Sequence, residues 1–149
     1  MTDRVRAVLV TPSGMLLTVK RIRPDVEPYW VLPGGGVEQA DATLEDALAR
    51  EIHEELAGCA RIHSLIHVEE INGERQYFFL ARIDHWDPAR RSGPEFTDPA
   101  RGAYIVEEIP LTPSALARIA LKPESIGDLL SRHASELFGL ADVCSPHPA

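Results

Sequence analysis

Four consecutive residues, Pro33-Gly34-Gly35-Gly36, divide this chain more sharply than anything else in it. Proline has a fixed φ and no N–H, and a row of glycines has no side chains to pack. The spacing therefore predicts that the apolar run Tyr29-Trp30-Val31-Leu32 is a short strand, ended there by a sharp turn of the backbone. Upstream, apolar residues alternate with others through 4–11. The turn residues Thr11-Pro12-Ser13-Gly14 and a second β-like run over 15–20 follow, which together predict a hairpin. Downstream, Thr43 with an acid three positions on, Asp46, marks a helix start; the helix should run to about Ala57 and stop at Gly58.

Asn72-Gly73 between strand-like runs at 61–70 and 74–84 is the strongest short hairpin signal in the sequence. Residues 87–100, with three prolines, form a loop long enough to suspect function. Residues 104–106 read as a last strand, helical spacing recurs over 113–120 and 124–138, and the stretch after Gly139 has no evident pattern. At 149 residues, strands interleaved with helices predict one α/β domain over 1–138 and a tail over 139–149.

Lys plus Arg number 15 and Asp plus Glu 23, a net charge of −8, the wrong sign for gripping a nucleic-acid polymer through a basic field. An anionic ligand would need local attraction, which metal ions held by the protein's own acids supply. Two cysteines, Cys59 and Cys144, lack the number for a disulfide framework and the spacing of a metal site, which fits a reduced, cytoplasmic setting. The longest uncharged stretch, 7–19, has 13 residues and contains Pro12 and Gly14, so no membrane span is expected, and no export signal is read.

The helix carries the chemistry. At about 100° per residue from Leu44, the residues Leu48, Ile52 and Leu56 fall at about 40°, 80° and 120°, while Glu51 and Glu55 fall at about 340° and 20°. Two carboxylates thus interrupt the apolar face, with Glu54 close by. Two unit charges ~6 Å apart at an effective dielectric of ~20 repel by roughly 3 kcal/mol, a cost relieved by protonation, by a base such as Arg50, or by divalent cations. A lone E-x-x-E-E is most simply a solvated helix face. Here Gly35, Arg50, Glu51, Glu54 and Glu55 stand together, which a random chain of this size would show with a probability on the order of 10⁻⁴.

Residues 33–58 resemble the Nudix box, G-x5-E-x7-R-E-U-x-E-E-x-G-U with U aliphatic, and the order of elements is similar to that family's α/β/α sandwich with a mixed β-sheet. Three positions depart from the pattern. Asp41 stands where the box has a glutamate, eight residues rather than seven precede Arg50, and Ala57 stands at the later glycine, with Gly58 one place on. The resemblance implies a pyrophosphohydrolase that cleaves a nucleoside diphosphate linked to another moiety, using Mg²⁺ or Mn²⁺. The implied metal ligands are Glu51, Glu54, Glu55 and Gly34. Arg50 would pair with a glutamate and fix its rotamer, itself oriented from the loop by Asp41 or Glu38.

The implied general base is a box glutamate or an acid of the 87–100 loop, where Glu95 is favoured over Asp98. Arg21 and Arg23 are candidate phosphate donors, Gly35 allows close approach of substrate, and Trp30 either stacks on a base or packs in the core. Tyr77 lies near the position that resembles a dinucleoside-polyphosphate branch marker, and otherwise is a strand aromatic; Asn72 replaces the proline that marks an ADP-ribose branch. The partner implied is a small nucleotide-type molecule, and a homodimer is compatible with such a domain. The alternative function is a non-catalytic Nudix module that binds a nucleotide-like effector or a protein partner.

Overall fold

Along strand β1 (Thr2–Val10), Val5, Ala7 and Leu9 turn to one side of a sheet and Val8 and Val10 to the other, and all five are buried. A strand apolar on both faces needs cover on both. Strand β6 (Glu74–Ile83) repeats the pattern, with Phe79, Ala81 and Ile83 on one side and Phe78 and Leu80 on the other, and it lies parallel to β1 from Thr2↔Glu74 to Val10↔Arg82. Helix α1 (Leu44–Leu56) covers the first side with Ala47, Leu48, Ile52 and Leu56. Helices α2 (Pro113–Leu116) and α3 (Glu124–His133) cover the second with Leu116, Ile126 and Leu130. The result is the expected α/β/α sandwich, here a computed structural model that describes residues 2–90, 102–140 and 142–143.

The path through the sheet is β5 (Ala60–Ile71), β6, β1, β2 (Met15–Ile22), β3 (Tyr29–Val31), β8 (Leu121–Lys122). Strand β4 (Gly34–Gly36) adds to β1, and β7 (Ala103–Pro110) adds to β2. The sheet is mixed: β1 with β6 and β3 with β8 are parallel, and the other pairs are antiparallel. The hairpin of β1 and β2 is paired only beside its turn, Leu9↔Leu17 and Val10↔Leu16. Beyond that point β1 takes β4 as its neighbour and β2 takes β3, while β7 pairs with β2 along its whole length. The two strands part, and the site lies where they do.

Thr43 caps α1 as expected, accepting the Asp46 N–H at 3.0 Å, and Asn72 and Gly73 both take the positive φ of a tight hairpin (51° and 81°). Other local expectations are corrected. The glycines after Pro33 do not simply turn the chain; they pair with β1, Arg6↔Gly34 to Arg4↔Gly36, and at Gly34 a side chain would run into that strand. The helix stop is Ala57 rather than Gly58: Ala57 is left-handed (φ 47°, ψ 40°) and its N–H reaches the His53 carbonyl. Gly58 is needed for another reason, since a β-carbon there would lie 2.9 Å from the His85 carbonyl oxygen.

Strand β7 runs to Pro110 and is not the last, because β8 pairs with β3 through Trp30↔Leu121. Helix α3 ends at His133, and Leu137–Gly139 is a 3-10 turn. Cys59 is exposed. Beyond residue 139, Val143 donates its N–H to the Leu65 carbonyl at 2.9 Å, so this part of the chain borders β5. No helix among the described residues is long and apolar enough to cross a membrane.

Candidate active site

Where β1 and β2 part, a cleft of about 480 Å³ opens, with Gly34, Gly35 and Gly36 along it and Glu51 and Glu55 from α1 at one side. Glu51 is only 8% exposed, as its place on the apolar face of the helix demands. It fits because residue 35 has no side chain: a β-carbon at Gly35 would lie 2.5 Å from the Glu51 carboxyl carbon. One turn further, Glu55 Oε1 accepts the Gly34 N–H at 3.1 Å. Gly34 adopts φ +152°, and a side chain there would run into the backbone of Val5. The glycine strand and the two helix carboxylates are therefore fitted to each other.

Arg50 anchors the loop that leads into the helix. Its Nε donates to Asp41 Oδ1 at 3.1 Å and its Nη2 to Asp41 Oδ2 at 2.9 Å and to the Gly36 carbonyl at 3.0 Å, while Nη1 donates to Glu51 Oε1 at 3.0 Å. Asp41 Oδ2 also accepts the Glu38 N–H at 2.7 Å, and the Asp41 N–H donates to the Glu38 carbonyl at 3.0 Å. The Glu38 side chain stays at 3.6 Å from Arg50 and Glu54 at 3.5 Å. Of the two loop acids, Asp41 is the one that orients the arginine. Its hydrogen bonds from Arg50 and from the Glu38 amide hold its carboxyl below the usual carboxylate range, and the Asp41 bond in turn raises Arg50 above its ordinary value.

Three arginines line the same cleft. Arg21, expected there, lies with its guanidinium carbon 3.7 Å from the Tyr104 ring centroid. Arg4 and Arg6 were not foreseen. Arg4 donates to Glu74 Oε2 at 2.9 Å, and Arg6 donates to the Leu32 carbonyl at 3.2 Å. Burial lowers the Arg6 pKa, with the nearby charges of Glu55 and Glu51 opposing that shift. The only sequence signal for this pair is two charges at alternate positions of a strand whose next alternate residues, Val8 and Val10, are apolar.

Arg23 is exposed and does not line the cleft. Trp30 packs against the core on the α3 side, while its neighbours Tyr29 and Val31 line the cleft, as strand alternation requires. Tyr77 packs against the α1-side core. Glu95 and Asp98 lie outside the described residues. Among the described residues, no three His, Cys, Asp or Glu side chains are disposed to hold a metal ion. Glu51 and Glu55 do line the cleft, and the set of carboxylate oxygens there is the hard donor chemistry that suits Mg²⁺ or Mn²⁺.

Comparison with known proteins decides the family. The NUDIX domain family matches residues 1–116. The chain belongs to the Nudix family. Family membership makes it a hydrolase of pyrophosphate bonds. Solved structures agree on the fold of this Nudix domain: a NUDIX hydrolase from Nitrosomonas europaea is similar at a TM-score of 0.67 and 17% identity, covering 97% of this chain and 99% of that one. An ADP-ribose pyrophosphatase from Streptococcus suis is similar at 0.65 and 16%, covering 95% and 96%. A MutT structure from work on Aliivibrio salmonicida and Vibrio cholerae is similar at 0.58 and 16%, covering 88% and 97%. No functionally curated protein sequence matches the chain.

Proposed function

We propose that this Nudix domain is a metal-dependent pyrophosphohydrolase that cleaves a nucleoside diphosphate linked to another moiety. The observation that carries the reading is the coupling of Asp41, Arg50, Glu51 and Gly35, which holds a buried carboxylate in a cleft that Arg4, Arg6 and Arg21 also line. Acids and guanidinium groups lining one cleft suit a metal-bound diphosphate.

Glu51, Glu54 and Glu55, with the Gly34 carbonyl, are the residues that would hold Mg²⁺ or Mn²⁺. When bound, such an ion neutralises diphosphate charge and acidifies a water. Arg50 acts through Glu51, fixing its rotamer. Arg6, withdrawn from solvent, and Arg21, backed by Tyr104, offer preorganised donors to the phosphate oxygens. Glu95 is the proposed general base.

The test is release of phosphorylated products from nucleoside diphosphate and triphosphate derivatives with Mg²⁺ or Mn²⁺, comparing the native protein with Glu55→Gln. The amide keeps an acceptor for the Gly34 N–H and removes the charge. Metal-dependent turnover that falls by about 10² or more in the variant is expected. Tight nucleotide binding with no turnover on any compound would favour a binding module instead. The same assay in cell extract fractions would place the protein, for which a cytoplasmic setting is proposed.

A further inference from the structure

Arg4 sits between two strands that treat its side chain differently. On the β4 edge its register partner is Gly36, where even a β-carbon would meet nothing within 4 Å, so no side chain steadies it from there. On the β6 edge its register partner is Gln76, and Glu74, two places earlier, projects from the same face of the sheet. Among the described residues Glu74 is the one hydrogen-bond partner of the Arg4 side chain, accepting from Nε at 2.9 Å. Arg4 lines the cleft and Glu74 does not. Glu74 is the first residue of β6, directly after the Asn72-Gly73 turn, so that turn and the parallel pairing with β1 fix where it stands.

A guanidinium held by Nε keeps both Nη groups as donors, and in Arg4 neither of them bonds a described residue. Arg6 differs, since its Nη1 donates to the Leu32 carbonyl. Glu74 also balances the charge of this corner: burial lowers the Arg6 pKa, the charge of Arg4 lowers it further, and the charge of Glu74 opposes the shift. Two like charges at alternate places of one strand are thus kept together by an acid that stays out of the cleft. We propose that Glu74 is a positioning residue, which holds Arg4 by Nε and so presents its Nη edge to a phosphate oxygen of the substrate. This inference deepens the hydrolase reading and rests on it. A guanidinium fork grips a phosphate in few orientations, and a long side chain opposite a glycine has many others to lose on binding, so an anchor that fixes it beforehand strengthens the grip.

The probe is methylenediphosphonate with Mg²⁺, a diphosphate mimic that resists hydrolysis and carries no base, titrated calorimetrically into the full chain. Glu74→Ala is expected to weaken its binding by about fivefold or more, while Glu74→Gln, which keeps an acceptor for Nε, should stay within about twofold of native. The sign is decisive, because removing a negative charge beside an anion site would by Coulomb's law alone tighten binding. In an Arg4→Ala background, Glu74→Ala should weaken binding no further. Thermal melts should barely move, since a partly exposed ion pair contributes little to stability. In turnover, KM should rise by the same factor with kcat unchanged. Unchanged or tighter binding in Glu74→Ala, an equal loss in Glu74→Gln, equal weakening with and without Arg4, a loss confined to kcat, or no binding of the probe to the native protein overturns the inference. Probe binding with the expected coupling, but no turnover of any nucleoside diphosphate or triphosphate derivative, overturns the hydrolase reading alone and leaves Glu74 aiming Arg4 at a bound diphosphate.

Discussion

Asp41 holds Arg50 with both carboxylate oxygens, at 3.1 Å from Nε and 2.9 Å from Nη2. It does so from a loop one residue longer than the Nudix box, and with a side chain one methylene shorter than the glutamate of that pattern. Asp41 also bonds the Glu38 backbone, so the extra residue is absorbed in a local turn and the guanidinium still reaches Glu51.

Replacing this acid should therefore damage catalysis without touching a ligand. Asp41→Asn is expected to lower kcat/KM by 10- to 100-fold, the range for groups that orient metal ligands. Steady-state kinetics over a range of Mg²⁺ concentrations checks it, and an unaltered metal dependence would sink the positioning role.

The same carboxyl sets a pH signature. Its native pKa lies below the unfolded value of about 4, so between the two the unfolded chain binds more protons, and stability rises with pH. The contribution is fully present above about pH 4 and is lost as pH falls through the depressed native value. Urea unfolding at pH 7 and at about pH 3 should show Asp41→Asn destabilised at the former and the gap narrowed at the latter.

Gly35→Ala should cost about 10² in kcat/KM or more, because its β-carbon would occupy the space of the Glu51 carboxyl and displace a group buried at the cleft. Kinetics beside a thermal melt checks it, since a stable, folded variant with native activity would show that Glu51 need not sit where it does.

Ala57 ends α1 in the left-handed region, which costs a residue with a β-carbon roughly 1 kcal/mol relative to glycine. Ala57→Gly is thus expected to stabilise the fold by about that amount, read as a higher urea midpoint at constant slope.

Trp30 and Tyr29 should separate in their effects. Trp30→Ala, emptying space in the α3-side core, is expected to lower stability by about 3 kcal/mol, whereas Tyr29→Ala, on the cleft wall, should raise KM with a smaller loss of stability. Unfolding curves and Michaelis profiles of both variants check the assignment.

These contrasts show what the sequence makes legible. The helix, its cap at Thr43 and its inward carboxylates follow from a 3.6-residue period and survive intact, because local periodicity survives any tertiary arrangement. The strands flanking Asn72-Gly73 follow from turn chemistry in the same way. Arg4 and Arg6 were hidden because their role depends on where β1 leaves β2, a long-range property no window of residues contains. Trp30 and Tyr29 differ by one place in a strand, and only the sheet decides which face meets the cleft. Strand β8 is two residues long, too short for alternation to reveal, and the pairing of Trp30 with Leu121 specifies it.

The parallel pairing of β1 with β6 also governs when the cleft can exist. Arg4 and Arg6 leave the ribosome well before residues 74–83, yet those residues flank the strand that carries them along its full length. A nascent chain that stops short of Ile83 has the glycine strand on one edge of β1 and the carboxylate helix, but lacks the parallel strand that flanks the arginines on the other edge. Closure of so long a loop belongs to the slow, non-local part of folding, so substrate binding should emerge only after the second half of the domain is synthesised.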